Sequence, residues 1–580
     1  MKRLAVGVLL LARSALASVE YRIDLAPRAS HELAVEMTVH AAPSPLELTM
    51  PVWTPGAYEL RTWGRNVTPV GAESGGVALE LRRTGPSSFA VTGHAAGADV
   101  RVRYRVYAAL ISDDASQVDA THAYLNGTSI FLAARGSERS LHQVSATLPS
   151  GWRAATALDE TPGGWEAVGY EALIDAPIEF GRFVSTDVQA AGRSYRIAVD
   201  GAPELPHDLA RDVAAIADAE AKLVGAPPYR RYLVLIHFAD GLGRVAALEH
   251  AASTSIVVSH RALGGGDAYE ELLYVIAHEL FHAWNARRLR PAEMVPYDLS
   301  RPMLSRSLWI AEGVAEYYAH RAMRLAGKWS RKRYLERLGE EAARAANAAR
   351  LGLTVEEESE LAWQAPDRAA GDPDAYYARG HLVALALDAR LRGASDGRHS
   401  LDEVMRALLA QSERAGGILP LDGDGLARAI GAIDPAAAAD VAALTRAPDE
   451  TARLAPALAS IGLRLDVEEA APRTFAGFSA EPDGAELRVA AVSPSGPAAR
   501  AGLRAGDRIV LFDGAPPTPK WAAQISAKSP GAALAVEAVR ATRHILLELR
   551  LDALRPLGCH LAELAATPKI TALRDAWFGR

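Results

Sequence analysis

The chain has 580 residues, 49% of them hydrophobic, which is enough for several domains with cores of their own. Its 63 basic and 70 acidic residues are interspersed and leave a net charge of -7, with no long basic stripe, so the footprint of a nucleic-acid-binding protein is excluded. The single cysteine, Cys559, excludes an intramolecular disulfide and reads as a buried, inert thiol.

The N-terminus has the parts of an export signal. Lys2 and Arg3 supply charge, Leu4 to Leu11 is an apolar run too short to span a membrane, and Ala15-Leu16-Ala17 is a small-x-small cleavage site. The expectation is a signal peptide over 1–17 and an exported chain, periplasmic or secreted, with no transmembrane span once mature. An uncleaved anchor is the alternative.

Residues 18–193 read as a β-sandwich. Glu32 to Val39, Val77 to Leu81 and Val100 to Val106 alternate polar and apolar residues as half-buried strands do, and Gly, Pro, Asn and Asp clusters separate them. The Pro55-Gly56 turn, followed by Tyr58, reads as structural. From 194 to 450 the pattern becomes α/β and then helical. A helical run lies within Pro206 to Val224, a continuous apolar strand covers Tyr232 to Phe238, and Ser253 to Val258 forms another. Residues 455–553 return to short strands, and 554–580 form a tail with some helical character. The fold class is multidomain α+β.

The chemistry is concentrated in Asp267 to Pro291. Asp267 follows Gly264-Gly265-Gly266 and reads as the helix cap, with Glu270 completing a capping box and Pro291 as the stop. Leu273, Ile276, Ala277, Leu280, Phe281 and Trp284 recur at helical spacing. His278 and His282 stand one turn apart, so both imidazoles can reach one metal ion. Zinc suits two neutral imidazoles. Glu279 between them reads as the base that takes a proton from the attacking water and passes it to the leaving amine. Glu312, in the helical run Trp309 to Tyr318, is the candidate third ligand. Gly313 beside it removes a side chain where helices approach. Glu316, one turn on, is placed to accept the free ring N–H of a ligand histidine, the alternative being a solvent-facing charge.

The run His278-Glu279-Leu280-Phe281-His282-Ala283-Trp284-Asn285, with Leu308-Trp309-Ile310-Ala311-Glu312-Gly313, resembles the glycyl aminopeptidase family of gluzincin zinc metallopeptidases. Thr54-Pro55-Gly56-Ala57-Tyr58 is similar to a turn in that family's N-terminal β-domain, and Ser493 to Gly514 resembles a PDZ domain. The resemblance implies a thermolysin-like catalytic domain and one Zn2+ per chain. It makes Tyr377, in Tyr376-Tyr377-Ala378-Arg379-Gly380, the donor to the developing oxyanion, with Arg379 where the family has lysine. A packing role is the alternative for Tyr377. Leu248-Glu249-His250 is similar to the family's Gly-Leu-Glu-His element, which makes Glu249 the partner of the substrate's α-amino group. Ala247 stands where the family tends to have glycine, and a solvated loop residue is the alternative for Glu249. The implied activity is removal of small N-terminal residues such as Gly or Ala from peptides. An endopeptidase of the same mechanism, or a PDZ scaffold with a vestigial peptidase, are the other readings. In the PDZ-like domain, Gly477 and Phe478 are the candidate loop for a peptide carboxylate. A domain that only braces the catalytic unit is the alternative there.

Overall fold

The computed structural model describes residues 18–579, except 207, 241–244, 351, 364–371, 373, 449–450, 470, 494–495 and 519. The export signal expected over 1–17 lies outside the described residues. No helix among the described residues is long and apolar enough to cross a membrane.

The N-terminal domain is β-rich. Strands such as Glu32–Ala42 and Ala98–Tyr107 bury every second residue, the period of two that turns one face inward. They belong to an eleven-stranded sheet, and a four-stranded sheet containing His122–Leu125 and Ile178–Gly181 shares its core. The chain leaves this domain earlier than the 193 boundary expected. Val184–Ala190 and Arg193–Asp200 form a hairpin, and that hairpin is the outer part of the catalytic sheet.

The catalytic sheet has five strands in the order Val184–Ala190, Arg193–Asp200, Arg231–Phe238, Ser253–Val258, Ala246–Glu249. The central pairs are parallel, and Arg231–Phe238 and Ser253–Val258 are buried almost throughout, as sequences covered on both faces must be. The four-stranded sheet of the first domain is joined to it by Tyr124, whose hydroxyl donates to Ser255 Oγ at 2.7 Å. His237 of the catalytic sheet and His122 of the first domain both meet Glu179.

The metal-motif helix is Gly266–Phe281. Two expectations about its ends are corrected. Asp267 lies inside the first turn, and the cap is Gly265, whose φ of 80° is available to glycine at no steric cost. Glu270 pairs instead with Arg333 at 2.9 Å. The helix also ends well before Pro291, which lies in the short strand Leu289–Pro291. The chain turns at His282, and the turn brings Asn285 to the contacts described below.

The C-terminal segment differs most from expectation. The PDZ-like unit has a five-stranded sheet and a core of its own. It is carried on an antiparallel ribbon, Leu463–Glu469 with Leu557–Glu563. Helix Thr451–Ser460 and the final helix Pro568–Trp577 pack into the catalytic core rather than forming part of the PDZ-like unit or a loose tail. Trp577 and Phe578 are buried, and Trp577 Nε1 donates to Tyr317 Oη at 3.2 Å. Cys559 is buried in the ribbon, where burial raises its thiol pKa.

Candidate metal centre and active site

Three elements deliver the centre. The motif helix carries His278, Glu279 and, at its last turn, His282. A π-helical turn, Trp309–Gly313, carries Glu312 and runs directly into helix Val314–Leu325. Helix Ala375–Ser395 carries Tyr377. A π-turn leaves backbone carbonyls without their usual partners, and this one is held from outside. Asn285 Nδ2 donates to the carbonyls of Ile310 and Ala311, both at 2.7 Å. The residues just after the histidine motif therefore fix the loop that presents Glu312. The other brace is a contact between two glycines. A Cβ on Gly313 would lie 2.3 Å from Gly380 Cα, so only glycine lets the two helices approach this closely.

The Nε2 atoms of His278 and His282 are 2.8 Å apart, and Glu312 Oε2 lies 3.5 and 3.3 Å from them. All three residues are buried. Metal–ligand bonds of about 2.0–2.1 Å in a tetrahedron place donors roughly 3.4 Å apart, so the spacing is that of ligands around one small cation. The charge balance points the same way. Glu249, Glu279 and Glu312 are all buried within this centre, and Glu249, Glu279 and His282 can bring ligand atoms within 4.8 Å of one another. Burial and the neighbouring His282 push His278 down to about 4. Burial also works against a charge on His282, but Glu312 and Glu249 raise it to about 9. Burial, reinforced by the Glu249 and Glu312 carboxylates, pushes Glu279 well above the usual carboxylate range. The donor set of two imidazoles and one carboxylate fits zinc.

The remaining expected residues fall as follows. Glu316 Oε1 is 3.5 Å from His278 Nδ1, and the side chain is buried rather than solvent-facing. The Tyr377 ring stacks on His278 with centroids 5.9 Å apart and planes at 21°. Its neighbour Tyr376 is buried instead in an aromatic seam with Trp53 and Trp363. Burial and the Glu312 charge raise the Tyr377 phenol well above its ordinary value, which favours its neutral, hydrogen-bond-donating form. Arg379 faces away from the centre, donating to the carbonyls of Leu353 at 2.7 Å and Pro448 at 3.1 Å.

Glu249 ends the edge strand Ala246–Glu249 and is buried, not a solvated loop residue. Arg287 reaches it at 3.5 Å and also donates to the Pro55 carbonyl at 3.1 Å. The Pro55-Gly56 turn rests on this carboxylate: a Cβ on Gly56, where φ is 103°, would lie 2.3 Å from Glu249 Oε2. That turn was expected to be only structural, and the same segment places Tyr58 Oη 3.0 Å from Glu312 Oε1. Sequence reasoning gave no chemical role to Tyr58, Arg287 or Asn285. The Tyr58 turn and the Asn285 position both belong to the stretches that carry the family resemblance, and that was the available signal.

In the PDZ-like unit Gly477 has φ 77° and Phe478 opens the edge strand Phe478–Asp483. Phe478 stacks on Trp521, with centroids 5.5 Å apart and planes at 12°.

A histidine pair on one helix, a carboxylate from the next and a buried glutamate beside them define a zinc metallopeptidase of the aminopeptidase class. Residues 20–182 match the Peptidase M61 N-terminal domain, 271–383 match M61 glycyl aminopeptidase and 488–527 match a PDZ domain. Among solved structures it is similar to an aminopeptidase N family protein from Idiomarina loihiensis, at 25% identity and a TM-score of 0.80, over 97% of this chain and 100% of that one. An M1 zinc metallopeptidase from Deinococcus radiodurans, solved with a Tyr-Ser-Ala substrate, is 16% identical over 75% of this chain and 95% of its own, at a TM-score of 0.44. No curated protein matches the chain.

Proposed function

We propose that this zinc aminopeptidase removes small residues, glycine or alanine, from unblocked peptide N-termini, and that it does so outside the cytoplasm. His278, His282 and Glu312 would hold the metal. What the metal supplies when bound is Lewis acidity toward the scissile carbonyl and the attacking water. Glu279 accepts the water's proton and delivers it to the departing amine. Tyr377 donates a hydrogen bond to the oxygen on which charge develops. Glu316 orients His278 through its Nδ1.

The observation that carries the aminopeptidase reading is Glu249. It is a buried carboxylate beside His282 and Glu279, 3.5 Å from a single arginine and closed over by the backbone of Gly56. A free α-ammonium group docking there gains a charge-assisted pair, and a blocked one cannot. Export is supported by Lys2-Arg3, the apolar run to Leu11 and the Ala15-Leu16-Ala17 site. At the PDZ-like unit, Gly477 and Phe478 at the head of an edge strand suit the C-terminus of a peptide added as a further strand.

The test is a matched set of peptides beginning with Gly, Ala, Leu or Phe, each with a free and an acetylated N-terminus. The reading requires cleavage of the free Gly and Ala peptides and none of their acetylated forms. Equal cleavage of both forms would establish an endopeptidase instead.

A further inference from the structure

Behind the catalytic centre lies a second group of side chains that could hold a metal ion, of which only Glu316, through its Oε1, has a place in the catalytic reading. Glu316 and His320 are one turn apart on helix Val314–Leu325, and His381 faces them from helix Ala375–Ser395. His320 and His381 are both 0% exposed and Glu316 is 9% exposed. Their rings cross at 69° with centroids 4.5 Å apart, and ligand atoms from the three side chains lie within 4.8 Å of one another.

Four polar atoms of this group lack hydrogen-bond partners. His320 Nδ1 is engaged by the Glu316 backbone carbonyl at 2.9 Å, which makes Nδ1 the protonated nitrogen and leaves Nε2 as a lone pair. Among the described residues that Nε2, both ring nitrogens of His381, and Glu316 Oε2 make no hydrogen bond. The large majority of buried polar side-chain atoms in native proteins have a partner, and what sets this group apart from other unmet atoms of the chain is that its ligand atoms converge on one point. The contrast with the third such group is instructive. At His122, Glu179 and His237 each Glu179 oxygen meets an imidazole nitrogen, at 3.2 and 3.0 Å, so the carboxylate is satisfied without a cation and only His237 Nδ1 is left over. The walls around His320 are aromatic, with Tyr274 and Trp329 at ring distances of 5.2 and 5.0 Å. They exclude bulk water as a source of partners.

We propose that Glu316, His320 and His381 form a second, fully buried site for a divalent transition-metal ion of the zinc class. Two imidazoles and one carboxylate select such an ion over calcium or magnesium, which prefer oxygen ligands. Glu316 connects the two centres, since its other oxygen, Oε1, lies 3.5 Å from Nδ1 of His278. An ion on Oε2 fixes that carboxylate and so the His278 ring. The site's existence does not depend on the catalytic reading, but its link to His278 does.

The experiment is zinc content by mass spectrometry on the folded full-length chain, loaded with zinc and dialysed into metal-free buffer. The expected result is two zinc ions per chain in the wild type and in Glu279→Gln, and one in each of His381→Leu, His320→Leu and His278→Ala. The zinc that remains in His381→Leu should bind roughly 10–100-fold more weakly, as loss of support behind a ligand histidine does. Anomalous scattering at the zinc edge from wild-type crystals provides a check that needs no variant to fold. It should give one peak among His278, His282 and Glu312 and another among Glu316, His320 and His381. A single zinc per chain, with a single peak at the first position, overturns this proposal and leaves the catalytic centre intact. No bound zinc at all overturns both.

Discussion

Tyr58 of the N-terminal domain donates a 3.0 Å hydrogen bond to Oε1 of Glu312, 254 residues further along the chain. The other carboxylate oxygen, Oε2, is the one that faces the two histidines. The first domain thus helps to orient a candidate metal ligand of the second.

Tyr58→Phe keeps the ring and removes only that donor. Zinc affinity or kcat/KM should fall roughly 10–100-fold, the usual effect of losing a group that orients a metal ligand. Zinc-buffered titration alongside steady-state kinetics checks this. Wild-type values in both would reduce the contact to packing.

The glycine pair gives a stability prediction. Gly313→Ala places a methyl group 2.3 Å from Gly380 Cα, and Gly380→Ala places one 2.6 Å from the Trp309 carbonyl oxygen. Neither obstacle is a flexible side-chain end, so the helices must separate. Overpacking of this kind costs about 1–3 kcal/mol or more. Urea denaturation should register that loss in either variant, with reduced zinc affinity because the π-turn moves with it.

The domain junction should be sensitive to pH. Burial disfavours a charge on His122, but Glu179, Asp200 and Asp119 outweigh it and raise the imidazole to about 9. In the unfolded chain the value is about 6.5. The folded pKa is the higher one, so the contribution is complete below about pH 6.5 and is lost as pH rises through about 9. Glu179, held below the usual carboxylate range against burial by His122 and His237, remains ionised throughout that window. His122→Gln should therefore lower Tm at pH 6, by an amount equivalent to at most ~3 kcal/mol, and have little effect at pH 9.5. Thermal melts at the two pH values decide it. An equal loss at both would show that packing, not charge, is what His122 contributes.

The C-terminus yields a fourth prediction. Trp577 and Phe578 belong to the catalytic core, whereas the PDZ-like unit has a core of its own. Replacing 470–556 with a short linker, so that the Leu463–Glu469 and Leu557–Glu563 ribbon is kept, should preserve turnover of dipeptides. If the unit recruits substrates by their C-termini, preference among longer peptides is lost. Trp577→Ala should instead destabilise the catalytic domain by about 3–5 kcal/mol, the range for emptying a buried tryptophan site. Dipeptide kinetics and denaturation of both proteins separate the two roles.

What was legible in the sequence was mostly local. His278, Glu279 and His282 share one helix, and their spacing alone places them together. The strands showed through their alternation, and Gly313 through its position beside a candidate ligand. The misread features were settled by distant residues. Asp267 looked like a cap, but three successive glycines let Gly265 take that position with positive φ. Pro291 looked like a stop, but the helix ends at Phe281, and beyond that turn Asn285 meets the carbonyls of Ile310 and Ala311. Tyr58, Arg287 and the final helix could not be assigned because their partners lie on other domains or at the opposite end of the chain.

The central claim is that Glu279 is the base at a centre formed by His278, His282 and Glu312. The most direct measurement is the turnover number of zinc-loaded Glu279→Gln on a free alanyl peptide, set against the wild type. The amide keeps the shape and cannot accept a proton, so turnover should fall by roughly 10²–10⁴-fold with the zinc of the His278 centre still bound. Turnover within tenfold of the wild type at equal zinc content would contradict the account.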